Sequence, residues 1–217
     1  MSSASIRLQA CLAVAVLLTP PLAHAQASGR ASRVHVALGG GLLTSGAYFT
    51  GPGNLEVSNG DAFAGSLQVS VAVHPSVAVL VATAHARPEG QLTGVPLFGS
   101  VAVTGVRLWF ADAALRGQVP LGVAATAPVI SAQAGAGIAH YAVATSVLGT
   151  AVDEQATNFA LALGAGLALP VTRRLSIEAL AKDYIASFKS VRDLEAFGVE
   201  GRRAHTLLLL ISARLGL

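Results

Sequence analysis

Histidine, serine, cysteine and the carboxylates carry most hydrolytic and metal chemistry, so their spacing comes first. The six histidines are His24, His35, His74, His85, His140 and His205. No two stand at i, i+2 or i, i+4, and the one cysteine is Cys11. A closed metal site needs about four converging ligands, and this scatter supplies none, so neither a metal nor another cofactor is expected. His74-Pro75-Ser76 brings a base and a hydroxyl together. Nucleophilic catalysis also needs an acid behind the base, and Pro75, unable to donate to a ladder, marks a hairpin turn instead. Gly39-Gly40-Gly41 and Gly164-Ala165-Gly166 do not lead into a helix, as a phosphate loop does. No catalytic residue is identified, and no enzymatic activity is expected. What remains is a polar set dispersed among apolar residues: Gln68, Arg107, Gln133, Asn158, Glu178, Lys182 and Arg214. Such a set lines a pore, or it fills a narrow interior as mutually satisfied groups. Pairing is required under either reading, because an unpaired buried charge is very costly.

The elements that hold this set alternate with a period of two. In the last stretch, Leu207, Leu209, Ile211, Ala213, Leu215 and Leu217 share one face, and Thr206, Leu208, Leu210, Ser212, Arg214 and Gly216 share the other. This is a strand with one wholly apolar face. Left at a sheet edge in water it would aggregate. Closing a barrel pairs its edge, and a membrane solvates its apolar face.

Composition agrees. Charged residues are 12% and hydrophobic residues 53%, about half the usual charge of a soluble domain. The net charge of +3 is too small to argue for nucleic acid. Arg7, the apolar run from Ala10 to Leu18 and Ala23-His24-Ala25 form a secretory signal peptide over residues 1–25; the apolar run itself is too short to span a bilayer as a helix. Residues 26–217 form one barrel domain without cysteine, so disulfides contribute nothing to it.

Eight strands are predicted, at about 34–43, 62–73, 77–87, 98–110, 129–141, 158–169, 174–188 and 205–217. The connections between the first and second, third and fourth, fifth and sixth, and seventh and eighth strands are long and polar. Those at His74-Pro75-Ser76 and Pro170-Val171-Thr172-Arg173 are short. Residues 111–127 read as a connection of unusual length, and 142–156 as a loop. Long outer loops alternating with short periplasmic turns are the pattern of an eight-stranded antiparallel up-and-down transmembrane β-barrel. Inward residues must face inward residues, and a chain end level with Leu175 places Ser176 opposite Gly216 and Glu178 opposite Arg214.

These residues resemble the small bacterial outer-membrane β-barrels that include OmpX, OmpW and the membrane domain of OmpA. Pro128 with Gln133-Ala134-Gly135-Ala136-Gly137 looks like that family's strand with a Pro and a G-x-G. Asn158 to Pro170, followed by Arg173 to Tyr184, looks like its penultimate hairpin. The terminal strand looks like its assembly signal, with Leu215 and Leu217 as the terminal apolar residues where the family usually ends on an aromatic. The resemblance implies residence in the outer membrane, outer-membrane lipids and the barrel-assembly machinery as partners, and a monomer. It also implies a structural role, surface interaction through the loops, or limited passage of a small solute. Two other classes compete. An outer-membrane lipid-modifying enzyme needs a His, a Ser and a carboxylate converging on the outer rim; His74-Pro75-Ser76, similar to the His-x-Ser of a lipid A deacylase, lies in a periplasmic turn. A soluble periplasmic barrel binding an apolar ligand would point its apolar faces inward.

Overall fold

The computed structural model describes residues 33–51, 55–95, 99–124, 126–147, 150–187, 200–201 and 203–217. The expected signal peptide lies outside them, as do residues 189–199 and 202 of the expected charged connection 189–203; Glu200–Gly201 and Arg203 of that connection are strand. Among the described residues thirteen strands follow in chain order: β1 (Val34–Ser45), β2 (Phe49–Gly51), β3 (Leu55–Asn59), β4 (Ala62–His74), β5 (Val77–Ala86), β6 (Gly90–Val95), β7 (Gly99–Val103), β8 (Val106–Pro120), β9 (Val129–Val147), β10 (Thr150–Pro170), β11 (Leu175–Ser187), β12 (Glu200–Gly201) and β13 (Arg203–Gly216). Eight of them close an antiparallel barrel in the order β1-β13-β11-β10-β9-β8-β5-β4. The other five form a sheet ordered β12-β2-β3-β6-β7.

The register defines the barrel's size. Followed from Val34 through Val71, Val79, Leu115, Ala134, Leu163, Asp183 and Leu207, it returns to β1 at Thr44, ten residues further on (44 − 34). Eight strands with this stagger tilt by about 35–45° and leave an interior just wide enough for side chains. Short turns at 75–76, 121–128 and 171–174 gather at the end that holds Val34 and Leu217, where the Leu217 N–H donates to the Val34 carbonyl at 2.9 Å. The opposite end carries the five-stranded sheet and the β9–β10 hairpin, which stays paired as far as Val147 and Thr150. By the usual asymmetry of such barrels the first end is periplasmic and the second external.

Alternation sets the faces. Leu207, Leu209, Ile211, Leu215, Phe159, Leu161, Leu163, Val69 and Val71 are all exposed. Together with Leu38, Leu42, Val81, Leu115 and Leu167 they encircle the barrel with apolar surface. So large a patch does not stay in water; it is the lipid-facing belt of a membrane-spanning barrel. A soluble barrel with apolar faces inward is thereby corrected.

Three boundaries also differ from the sequence reading. β8 begins at Val106, not near residue 98, and runs to Pro120, so most of 111–127 is strand and the turn is short. Residues 142–156 extend the β9–β10 hairpin instead of forming a loop. Ser176 faces Arg214 and Glu178 faces Ser212, two residues from the expected register. Face is preserved by a two-residue slip, so alternation does not distinguish the two alignments.

Close approach explains one pair of glycines. A Cβ on Gly135 or Gly137 would run into the β8 backbone around Ala113–Ala114 and Ala111–Asp112 respectively. Replacing Gly137 with Val is expected to destabilise the barrel by about 1–3 kcal/mol through overpacking. A lower urea midpoint for the refolded barrel checks this, and an unchanged midpoint refutes it.

Candidate functional site

The lumen is filled in layers. The lower layer centres on Arg116, which faces inward near the periplasmic end of β8. Its side chain is 0% exposed. Its Nε and Nη2 donate to Gln133 Oε1 on β9 at 3.2 and 2.8 Å, and Nη2 also donates to Gln68 Oε1 on β4 at 3.3 Å. Nη1 lies 2.9 Å from Glu178 Oε1 on β11 and donates to Oε2 at 3.2 Å. One guanidinium thus ties four strands across the lumen. Arginine suits this place because its planar fork offers five donors and stays charged.

The next layer lies two inward positions higher on β8 and β11. Asp112 on β8 accepts from Lys182 Nζ and from the Tyr184 hydroxyl, both on β11 and both at 2.6 Å. Phe110 stacks on Tyr184 with ring centroids 4.4 Å apart. Between the layers is a cavity of about 20 Å³ bordered by Gln68, Glu178, Lys182, Tyr184, Leu210 and Ser212. That is room for about one water. Asp112 Oδ1 and Gln133 Nε2, which have no protein partner, are buried polar atoms of these same layers. Above them the lumen turns apolar, with Leu43, Val106, Leu108, Phe110, Tyr141 and Leu208 packed together. There Tyr48 and Thr206 share a hydrogen bond of 2.9 Å, and the Tyr48 and Tyr141 rings lie 5.9 Å apart.

Six of the seven residues singled out in the sequence are buried in this lumen: Gln68, Gln133, Asn158, Glu178, Lys182 and Arg214. The first two join Glu178 around Arg116, and Lys182 joins Asp112. Asn158 lies higher, in the apolar zone, and its Nδ2 has no protein partner. Arg214 lies low in the lumen and makes no ion pair among the described residues, so the expected Glu178–Arg214 pair is replaced by Glu178–Arg116. Arg107 is corrected: it is exposed on the outer face of β8, because Val106, Leu108 and Phe110 take the inward phase. The two charges that organise the lumen, Asp112 and Arg116, were not singled out. The alternation Val106, Leu108, Phe110, Asp112, Ala114, Arg116 carries the signal, and a strand ended at Phe110 misses it.

The histidines stay apart. His35 is in the lumen, His74 in the β4–β5 turn, and His85, His140 and His205 face outward. No three His, Cys, Asp or Glu gather into a metal site among the described residues. In the turn, His74 Nδ1 accepts from the Ser76 backbone N–H at 3.3 Å, a local contact that closes the hairpin.

No family model matches the chain, and no curated protein matches it. Solved structures do. The outer membrane protein OprG from Pseudomonas aeruginosa aligns with a TM-score of 0.57 at 9% identity, over 86% of this chain and 98% of that one. Neisserial surface protein A aligns with a TM-score of 0.52 at 12% identity, over 86% and 98%. The outer membrane protein AlkL, solved in lipid bilayers, aligns with a TM-score of 0.52 at 12% identity, over 91% and 96%. At such identities the likeness concerns the fold. Joined to the shear of ten, the short turns at one end and the encircling apolar belt, it gives this chain the architecture of the small bacterial outer-membrane β-barrels.

Proposed function

We propose that this chain is a non-conducting, non-enzymatic outer-membrane barrel: an anchor in the envelope that displays the external sheet β12-β2-β3-β6-β7 and the β9–β10 hairpin for surface interaction. The observation that carries this reading is Arg116, fully buried and bound to β4, β9 and β11 at once. An ion crossing the barrel would have to displace that guanidinium and strand Glu178. Such a step costs several kcal/mol in a confined interior. Purified barrel inserted in a planar bilayer is therefore expected to add no steady ohmic current. A reproducible unitary conductance in the unmodified protein overturns the reading.

The apolar upper lumen supports a second reading, limited passage of a small apolar solute. That reading predicts faster uptake of such a solute by cells carrying the barrel, with no ionic current in either case.

A further inference from the structure

A second arrangement of polar and aromatic side chains lies outside the lumen. Trp109 is the chain's single tryptophan and faces outward from β8 at 48% exposure. His85, its partner across the β5–β8 pair, stacks on it with centroids 4.3 Å apart and an interplanar angle of 27°. The His85 Nδ1 donates to the Leu108 carbonyl at 3.0 Å, which fixes the ring. The same register row continues from Trp109 to His140 and Thr157, joined by a hydrogen bond of 2.8 Å. One outward step nearer the external end is a row of Phe63, Arg87 and Arg107. Ala64 pairs with Ala86, and Ala86 with Leu108; Phe63 on β4 and Arg107 on β8 are the next residues beyond those partners, and Arg87 directly follows the end of β5. All three are exposed. Among the described residues neither arginine makes an ion pair. Asp61 and Glu89 stand one register step further out, also exposed.

We propose that this band binds an anionic outer-leaflet lipid headgroup through its phosphate, held by Arg87 and Arg107, with the acyl chains lying over Phe63, Trp109 and the apolar belt below. The inference rests on the reading of the chain as a membrane-spanning barrel. The chemistry fits at three points. Guanidinium forks match phosphate oxygens in bidentate geometry. Aromatic rings favour the headgroup level of a membrane. The two cations sit where the apolar belt ends, the depth at which lipid phosphate lies. Simple snorkelling of long cationic side chains needs no such pair; Arg203, exposed on β13 away from this band, serves as the control.

The test uses Trp109 as its own reporter. The full barrel, folded in neutral maltoside micelles, is titrated with a short-chain phosphatidylglycerol, with phosphatidylcholine of the same chain length, and with inorganic phosphate. Saturable change in Trp109 emission is expected with phosphatidylglycerol, and about tenfold weaker binding in the R87Q/R107Q variant. R203Q should titrate like the parent. Circular dichroism checks that each variant keeps its strand signal, and the single variants R87Q and R107Q replace the double one if it does not. Equal titration of parent and variant, an equal response to phosphatidylcholine, or equal weakening by R203Q overturns the site. Saturation by inorganic phosphate alone overturns its assignment to lipid. A conducting barrel would defeat the proposed function and leave this result unaffected.

Discussion

Replacing Arg116 with Leu is expected to destabilise the barrel by about 3 kcal/mol, at the low end of the cost of breaking a buried ion pair. The substitution takes away the guanidinium that pairs with Glu178, and it removes the donors to Gln68 and Gln133. The low end applies because Arg214 can compensate in part. It lies on the neighbouring strand β13, opposite Ser176 and two residues from the position facing Glu178. The lumen of this variant would also stay balanced, with Lys182 and Arg214 against Asp112 and Glu178. The double variant R116L/E178L removes both charges and is expected to recover most of the loss, since a well-packed apolar replacement of a buried pair is often neutral. Urea unfolding of barrel refolded into lipid vesicles measures all three proteins. An R116L midpoint equal to the parent's would show that the network does not hold the lumen together.

Much of this architecture is legible in the sequence, and the physical reason is the pleat. A period of two assigns each residue to a face regardless of partner, so β13 and β10 were readable residue by residue: Leu209, Ile211, Phe159 and Leu161 face out, and Ser212, Arg214 and Asn158 face in. Register is another matter. Sliding β11 along β13 by two residues keeps every side chain on its face, so only the turn and the packing decide that Glu178 meets Ser212.

β8 shows a different failure. Its outward residues Ala111 and Ala113 are small, and Gly117 and Pro120 close to its end are turn residues. Beyond Trp109 the segment therefore carries few large outward side chains, Leu115 being the clearest. Ending the strand at Phe110 hid Asp112 and Arg116. It also leaves Arg107 to be phased on charge alone. Charge misleads at this level, because an outward Arg at the edge of the apolar belt reaches the headgroups, whereas at mid-depth it would have to point inward.

The largest loss is expected from Asp112→Leu, about 5 kcal/mol, the high end for a broken buried pair. Asp112 is the acceptor for both the Lys182 ammonium and the Tyr184 hydroxyl, so one substitution strands a charge and a donor. Among the described residues no other carboxylate of the lumen is free to replace it, since Glu178 is held by Arg116. Lys182 keeps only the face of Tyr184, with Nζ 4.9 Å from the ring centroid. A contact of that kind contributes about 0.5–2 kcal/mol, less than the carboxylate it would replace. The imbalance spreads further, because Lys182, Arg116 and Arg214 would then share the lumen with the single carboxylate of Glu178. Asp112→Leu should therefore be worse than Arg116→Leu, although each removes one partner of one pair. Adding Lys182→Met to Asp112→Leu takes out the stranded ammonium and should restore most of the stability, leaving the Tyr184 hydroxyl as the residual cost, about 1–3 kcal/mol. The same urea series orders the variants. If D112L unfolds no more easily than R116L, charge balance does not govern the lumen, and each layer acts through its local bonds alone.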